Sequence, residues 1–162
     1  AIVTYIGLFS AEREVPASFF FLIYGATALL VRLYTGPLMD RRGFFIVMFP
    51  ALIIFAAGLF FLSQLNSILI LVLAAILVGV GYGNVLSAGQ TIAVTSVPKH
   101  RIGLATATFF LGIDAGIGLG PIILGLIVQS VGAGTMYLLL ALVMLVLAAV
   151  YALLHFRSNK TV

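Results

Sequence analysis

The stretch RLYTGPLMDRRG, residues 32–43, stands between two long apolar runs and holds four of the chain's twelve charged side chains. Gly36 and Pro37 predict the end of one helix, because glycine and proline are the strongest breakers of regular structure. Gly43 predicts a turn, since glycine reaches backbone conformations that are closed to other residues. Asp40 can act as an N-cap or accept hydrogen bonds near the start of the next helix, where the helix dipole favours a negative charge. The stretch therefore predicts a tight, charged turn between two apolar helices.

The composition indicates that lipid surrounds most of the chain. Hydrophobic residues make up 64% of it and charged residues 7%, with a mean hydropathy of +1.32, whereas a soluble domain averages about 25% charged residues. Cysteine is absent and the histidines, His100 and His155, are far apart, so neither a disulfide nor a metal site is predicted. The net charge of +4 is spread over separate loops. Because a nucleic-acid-binding protein presents a continuous basic stripe, no nucleic-acid partner is predicted.

The first residues predict a partial membrane span. Residues 1–9 are apolar but too few to cross a bilayer as a helix, which takes about 20 residues. They do not read as a signal peptide, since no basic segment precedes them and no small-residue cleavage site follows. There is no initiator methionine. We therefore expect the chain to begin inside a spanning helix and to be a piece of a longer protein.

Charges and turn residues divide the remainder of the chain into five complete spans. The uncharged stretch 43–98 is too long for one helix and is expected to break at SQLNS, residues 63–67. An apolar run of this length satisfies its backbone groups internally only as a helix, so we predict an all-α integral membrane protein. The predicted helices are a partial one at about 1–10 and complete ones at about 16–34, 44–62, 68–95, 104–130 and 135–155.

The basic residues predict how the spans are oriented. Successive loops alternate between the two sides of the membrane, and seven of the eight basic residues fall on one side, with Arg13 alone on the other. Lys and Arg concentrate in cytoplasmic loops. We therefore expect a protein of the plasma (inner) membrane whose basic loops and C-terminus lie on the cytoplasmic side. The seven are Arg32, Arg41, Arg42, Lys99, Arg101, Arg157 and Lys160.

The spacing within the quoted stretch is more specific than a basic anchor with a turn, which is the alternative that the arginines alone support. Its form, G-x-L-x-D-R-x-G, resembles the cytoplasmic signature loop of the major facilitator superfamily, which joins helices 2 and 3 and recurs in degenerate form between helices 8 and 9. Four spans follow the loop here, so the resemblance covers essentially the whole chain. It implies the C-terminal six-helix half of a twelve-helix transporter, with the N-terminal half missing. The matching positions are Gly36, Leu38, Asp40, Arg41 and Gly43.

The resemblance also implies a role for this loop. In the family, the aspartate caps the end of a helix from the other half in the outward-open state. Carried to this chain, Asp40 would cap that helix, and Arg32 and Arg41 would help to hold a cytoplasmic gate. Arg32 lies about two helical turns before Asp40, near the membrane edge, where its long side chain can extend toward the interface.

Asp114 is the one acidic or basic residue that the sequence places deep within a span. It lies in FFLGIDAGIGLGPIILG, residues 109–125, roughly 15 Å from the predicted helix start at 1.5 Å per residue. A carboxyl near the bilayer midplane is energetically expensive and usually faces the bundle interior or a water-filled cavity. We therefore predict that Asp114 carries a coupling proton or binds a cationic group of a substrate. The alternative is an acid that a neighbouring hydroxyl or amide satisfies and that holds helices together.

Glycines surround this acid at a regular spacing. Gly112, Gly116 and Gly120 recur every four residues, which predicts a face where another helix can approach closely. Asp114 lies about 200° around the helix from Gly112, on nearly the opposite face. We therefore expect the glycine face to pack and the acid to face a cavity. Pro121 removes one helical hydrogen bond and is expected to bend the helix.

The segment GIGLGPIILG, residues 116–125, resembles the G-x-x-x-G-P-x-x-G-G motif in the fifth helix of the family's antiporters. Four positions match, while Leu124 replaces the first of the paired glycines. Glycine and proline also occur in many membrane helices for packing or kinking alone, so the motif leaves that alternative open. The matching residues are Gly116, Gly120, Pro121 and Gly125.

A polar face is predicted on the helix at about 68–95. Four side chains at positions i, i+3, i+7 and i+11 share one face of a helix, and Gln90 lies off its centre. Two interpretations remain open, a substrate path or interhelical hydrogen bonds, which are worth about 0.6–2 kcal/mol each. The four are Asn84, Ser87, Thr91 and Thr95, and Tyr24 and Thr27 of the helix at about 16–34 are further candidates for the cavity.

Two classes of function follow from these patterns. The first is a proton-coupled secondary transporter that works by alternating access, with the lipid bilayer, a small-molecule substrate, protons and the missing half as its partners. A mostly apolar cavity with one acid and no tryptophan resembles the drug and metabolite efflux branch more than the sugar branch. The second is a non-transporting or half-size membrane protein that assembles as a dimer. An enzyme is not predicted, since no catalytic set shares one membrane depth, and no nucleotide-binding loop or other cofactor site is present.

Overall fold

Long helices make up the described part of the chain. The computed structural model describes residues 5–7, 10 and 16–158, without the side chain of Ser158. Five helices are long and apolar enough to cross a membrane, and residues 5–7 and 10 are also helical, so the predicted all-α membrane fold is confirmed. The helices are α1 (Ala17–Arg42), α2 (Phe45–Ser63), α3 (Ile68–Thr95), α4 (Ile102–Val131) and α5 (Ala133–Ser158), with a 3-10 turn at Lys99–Arg101 before α4.

The predicted spans agree with these helices except at the end of the first. The break between α2 and α3 lies at residues 64–67, as predicted, and α4 and α5 each extend a few residues beyond the predicted bounds. Most of the predicted partial span at about 1–10 lies outside the described residues, as do Arg13 and Lys160.

The first prediction that the structure corrects is the end of α1. The helix runs through Gly36 and Pro37 to Arg42, so these two residues do not end it. Proline removes one backbone hydrogen bond, but the last turn of α1 is held by tertiary packing. Met39 in that turn is buried in a small apolar cluster with Val47 of α2 and Ala88 of α3. Packing therefore outweighs the local preference of the glycine and proline to break the helix.

The turn itself falls on Gly43, as predicted. Its backbone has φ 83° and ψ 167°, a region that is essentially restricted to glycine, and its N–H donates to the carbonyl oxygen of Met39 at 2.9 Å. Asp40 is not an N-cap of the next helix. It lies in the last turn of α1, whereas the N-cap position of α2 is Phe44, which makes no side-chain capping bond.

Helix α3 is the centre of the bundle. It packs most extensively against α2 and α1, while α5 packs against α2, and α4 makes fewer contacts. The main core lies at the end of the bundle opposite Gly43, where Phe20, Leu59 and Tyr137 are fully buried. Few residues of α1 and α4 are buried by the rest of the described chain.

Glycines of α3 allow its close packing. A Cβ atom on Gly79 would lie 2.8 Å from the carbonyl oxygen of Tyr24, and one on Gly81 would lie 2.5 Å from Phe55. A Cβ on Gly83 would lie 3.3 Å from the backbone of Ala28. The pair Gly79 and Gly83 is therefore a packing face against α1, as its four-residue spacing predicts.

Candidate functional site

A cavity of about 680 Å³ lies between α1, α2, α3 and α4. Its size falls within the range of small-molecule pockets, about 300–1,000 Å³. Helices α3 and α4 contribute five lining residues each, in both cases from one face of the helix. The lining residues are Tyr24 of α1, Met48 and Phe55 of α2, Val78, Tyr82, Val85, Leu86 and Gly89 of α3, and Phe109, Gly112, Ile113, Gly116 and Ile117 of α4.

The wall of this cavity is apolar and aromatic, with two hydroxyl groups. Among the described residues that line it, none is charged. The rings of Tyr24 and Tyr82 lie with centroids 6.3 Å apart, and Tyr82 also contacts Phe55 at 5.8 Å. Within the described chain neither tyrosine hydroxyl makes a hydrogen bond. With no partner among the described residues, each hydroxyl can bond a molecule in the cavity or water.

Gly112 and Gly116 of α4 line this cavity, and no helix of the described chain packs closely against them. A Cβ atom on Gly112 or Gly116 would meet nothing within 4 Å among the described residues. The expected close approach of a helix at these two positions is therefore not made by the helices of the described chain. A glycine allows close packing only where a neighbouring helix lies against it. Here, because glycine has no side chain, these positions leave more space in the cavity. Gly120, half-buried, lies one turn further along the same helix.

Asp114 lies on the other side of α4. It is two residues from each of Gly112 and Gly116, which places it about 160–200° around the helix from both. Its side chain is exposed, and it is not among the residues that line the cavity. The expectation that this acid faces the interior is therefore not met by the helices of the described chain, since α4 contacts them on its other faces.

The predicted polar face of α3 lies away from the cavity. Of the six cavity candidates, Tyr24 lines it, and the other five do not. The serine and threonine hydroxyls among these five donate to carbonyl oxygens of their own helix. Examples are the bonds from Ser87 to Gly83 at 3.0 Å and from Thr91 to Ser87 at 2.9 Å. The interhelical alternative is therefore not realised by these hydroxyls within the described chain. The five are Thr27, Asn84, Ser87, Gln90 and Thr91.

Asn84 differs from its neighbours because it is almost fully buried, at 3% exposure. Its amide nitrogen donates to the carbonyl oxygen of Val80 at 2.9 Å. Its Oδ1 atom is buried without a hydrogen-bond partner in the described chain. Thr27 donates to the carbonyl oxygen of Ile23 at 2.7 Å and lies at the contact between α1 and Gly79 of α3.

Pro121 lies inside α4, which continues on both sides of it. The hydroxyl of Tyr5 donates to its carbonyl oxygen at 2.6 Å. A Cβ atom on Gly125 would lie 2.7 Å from this same hydroxyl. The Gly-Pro segment is thus in contact with the helical residues at the start of the chain.

The signature residues occupy one end of the bundle but do not form a compact cluster. Arg32, Asp40 and Arg41 are exposed on α1, and Gly36 is half-buried between them. Eight residues of helix separate Arg32 from Asp40, which is about 12 Å along the axis. No ion pair of Asp40 occurs with any described residue. The acid lies at the negative end of the helix dipole, an unfavourable position worth about 0.3–1 kcal/mol.

The aromatic wall of the cavity is a feature that reasoning from the sequence missed. Tyr82, Val85, Leu86 and Gly89 follow the spacing i, i+3, i+4 and i+7, which marks one face of a helix. That signal was available, but it belongs to the apolar face and not to the polar one. Phe55 and Phe109 come from other helices, so their place in the wall depends on the tertiary arrangement.

The chain is similar in sequence to known membrane transporters. A sequence profile described as "Major Facilitator Superfamily" matches residues 4–162. An uncharacterized MFS-type transporter of Methanocaldococcus jannaschii is 25% identical over 139 residues, which is 84% of this chain and 36% of that protein. A protein of Klebsiella pneumoniae, provisionally named multidrug resistance protein MdtD, is 30% identical over 106 residues, 65% of this chain and 22% of that protein.

The chain thus spans about a third or less of the length of these relatives. No solved structure matches it with significance. The profile covers nearly all of the sequence, and the helices have the length and composition that membrane spans require. The chain belongs to the Major Facilitator Superfamily of membrane transporters.

Proposed function

We propose that the chain is the C-terminal six-helix half of a longer transporter that exports a small molecule across the plasma membrane in exchange for protons. Family membership supports transport as the class of activity. The relatives named for multidrug resistance support export as its direction. The two halves would rock about a site near the membrane midplane, in alternating access. The bilayer, the exported molecule, protons and the N-terminal half are then the partners of this chain.

The basic residues support a cytoplasmic location for the C-terminus. The α1–α2 turn, the α3–α4 turn and the end of α5 share one end of the bundle, because successive helices alternate in direction. That end holds Arg42, Lys99 and Arg157, and basic residues concentrate on the cytoplasmic side. Asp40 and Arg41 at this end would contact the N-terminal half and hold the cytoplasmic gate.

The position of Asp114 is the observation that carries the proposal of proton coupling. It lies twelve residues into α4, about 18 Å along the axis, near the middle of a 30-residue helix. A carboxyl at this depth is too costly to face lipid, and such groups mark ion and proton paths. We place its exposed side chain in the aqueous path between the two halves.

Transport by the full-length protein in proteoliposomes tests this role. A pH-sensitive dye inside the vesicles reports proton movement when an exported aromatic compound is added on one side. We expect wild-type protein to couple the two fluxes and Asp114→Asn to lose proton-driven net transport. The amide mimics the neutral, protonated carboxyl, so the variant should still exchange compound between two sides at equal pH. Asp114→Glu keeps an ionisable group and should retain part of the coupling.

Two outcomes contradict this role. One is an Asp114→Asn variant whose net transport and pH dependence match the wild type. The other is a variant that loses exchange as well as coupling while it remains folded, because the acid then binds the compound and not the proton. The midpoint of thermal unfolding of each variant in detergent micelles verifies that the fold is intact.

A further inference from the structure

The aromatic cavity has the size of a ligand site. Its volume of about 680 Å³ exceeds what a few waters fill, since each takes about 30 Å³ in the liquid. Rings from four helices line it. Tyr82 of α3 contacts Tyr24 of α1 and Phe55 of α2, and Phe109 of α4 lies beside Gly89. Aromatic rings favour stacked or edge-to-face contact with other rings at centroid distances of about 4.5–7 Å. The wall therefore suits a molecule that carries rings.

The charge of the wall restricts the ligand further. Among the described residues that line the cavity, no side chain is charged. Burying an ion in an apolar site without a charged partner costs a desolvation free energy on the order of several kcal/mol. The nearest acid on the same helix, Asp114, points away, about 160–200° around the axis from Gly112 and Gly116. A cationic molecule would therefore find no counter-ion among the described residues that line the cavity.

The two tyrosine hydroxyls supply the polar contacts. Tyr24 and Tyr82 both line the cavity, and neither hydroxyl has a hydrogen-bond partner among the described residues. A hydroxyl both donates and accepts a hydrogen bond. A ligand with one carbonyl or ether oxygen can accept a hydrogen bond from either and so be oriented between the rings.

We propose that this cavity binds an uncharged aromatic molecule with one or two hydrogen-bonding groups, held by Tyr24 and Tyr82 and without contact to Asp114. Its role as the exported compound rests on the proposed function, whereas the binding does not. Separating the ligand from the acid means that the cavity can fill whether Asp114 is protonated or not. Coupling between proton and ligand then passes through movement of α4, which carries the acid on one face and the cavity wall on the other.

Photolabelling of the full-length protein with benzophenone tests the binding. This probe is uncharged, has two rings and one carbonyl oxygen, and on illumination inserts into nearby C–H bonds, with a preference for methionine. Met48 is a lining residue and should be a main site of labelling, located by mass spectrometry. Excess unlabelled neutral aromatic ketone should suppress the labelling, and tetraphenylphosphonium, an aromatic cation, should not.

A matched pair of glycine variants tests the location. Gly116→Leu places a side chain into the cavity, where its Cβ meets nothing within 4 Å, so the helix should form normally. We expect labelling of Met48 to fall about tenfold, a loss of about 1.4 kcal/mol in binding. Gly118→Leu is the control, because Gly118 has equally open space but does not line the cavity. Asp114→Asn should label like the wild type.

The outcomes separate the binding from the proposed transport. Labelling that spreads over exposed residues, or that Gly116→Leu leaves unchanged, overturns the site. Suppression by the cation, or loss of labelling in Asp114→Asn, overturns the uncharged class of ligand. Loss of labelling in Gly116→Leu with no proton-coupled transport in the wild type supports the site and refutes the proposed function. Coupled transport of the ketone that Gly116→Leu leaves intact refutes the cavity's role as the substrate site.

Discussion

The hydroxyl of Tyr5 donates a hydrogen bond to the carbonyl oxygen of Pro121, 2.6 Å away, and so joins residues that are 116 positions apart in the chain. Gly125 makes this contact possible, because a Cβ atom at its position would lie 2.7 Å from the hydroxyl. The bond reaches α4 at its proline, one turn beyond the glycines that line the cavity. It therefore ties the segment of α4 where proline lacks a backbone N–H to the helical residues at the start of the chain.

Removing this hydroxyl should loosen the contact without disturbing the fold. We expect Tyr5→Phe to lower the free energy of unfolding by about 0.5–1.5 kcal/mol, the usual net value of one hydrogen bond. The midpoint of thermal unfolding in detergent micelles measures it. Tyr34→Phe is the control, since Tyr34 is 79% exposed and its hydroxyl should matter little. Equal midpoints for the two variants would show that the bond does not stabilise the protein.

Gly125→Ala should disturb the same contact from the other side. The added methyl group displaces the end of a flexible tyrosine side chain, so the expected loss is similar to that of Tyr5→Phe. Because both variants remove one interaction, the double variant should be little worse than either single one, whereas independent effects would add. Additive losses in thermal stability would show that Gly125 does not act through Tyr5.

Substitution by alanine should have opposite effects on thermal stability at the two glycines of the signature stretch, Gly36 and Gly43. Gly43 has φ +83°. Other residues adopt this backbone conformation only at a cost of about 1–3 kcal/mol in free energy. We expect Gly43→Ala to lower thermal stability by about that amount. Gly36 lies inside α1, and a Cβ there meets nothing within 4 Å of the described residues, so Gly36→Ala should be neutral or stabilise by up to about 1 kcal/mol. If Gly36→Ala is the more damaging, α1 ends where its sequence predicts and not at Gly43.

The stretch around these glycines shows how far the sequence predicts the fold. Apolar runs set the number and bounds of the spans, because each must satisfy its backbone within the membrane. Gly43 was also predicted, since its role is local. The end of α1 was not, because it depends on Met39 packing against Val47 and Ala88, residues that only the tertiary fold brings together.

The candidate site was predictable only in part, for the same reason. Depth along α4 follows from residue number, so the sequence places Asp114 near the middle of its helix. Whether the glycines at 112 and 116 meet a helix or open space depends on where the neighbouring helices lie. The sequence pattern is the same in both cases. The aromatic wall joins residues of four helices, and no local pattern predicts such a set.

The contact between α1 and α3 should be sensitive to one methyl group. A Cβ on Gly79 would lie 2.8 Å from a backbone oxygen, that of Tyr24, so the helices must separate to accept it. We expect Gly79→Ala to destabilise by about 1–3 kcal/mol, as overpacking does, measured by thermal unfolding in detergent micelles. Gly25→Ala on α1, where the added atom meets nothing within 4 Å, should be neutral. Equal stability of the two variants would mean that α1 and α3 do not approach this closely.

Asp40 should matter for transport and not for stability. It lies in the last turn of α1, where a carboxylate opposes the helix dipole by about 0.3–1 kcal/mol, and no described residue pairs with it. We expect Asp40→Asn to leave the thermal midpoint of the full-length protein unchanged or slightly raised. Under the proposed gate role, proton-driven transport in proteoliposomes should fall about tenfold, a loss of about 1.4 kcal/mol, because the amide lacks the negative charge of the carboxylate.

The neighbouring Arg42 provides the control for this variant. It is exposed in the same turn but lies outside the signature spacing, so Arg42→Gln changes the local charge without removing a signature residue. Normal transport in Arg42→Gln together with impaired transport in Asp40→Asn would assign the effect to the aspartate. Equal impairment of both would instead indicate a general requirement for charge at this end of α1. Normal transport in Asp40→Asn would rule out the gate, since the acid would then be only a solvated residue at the end of the helix.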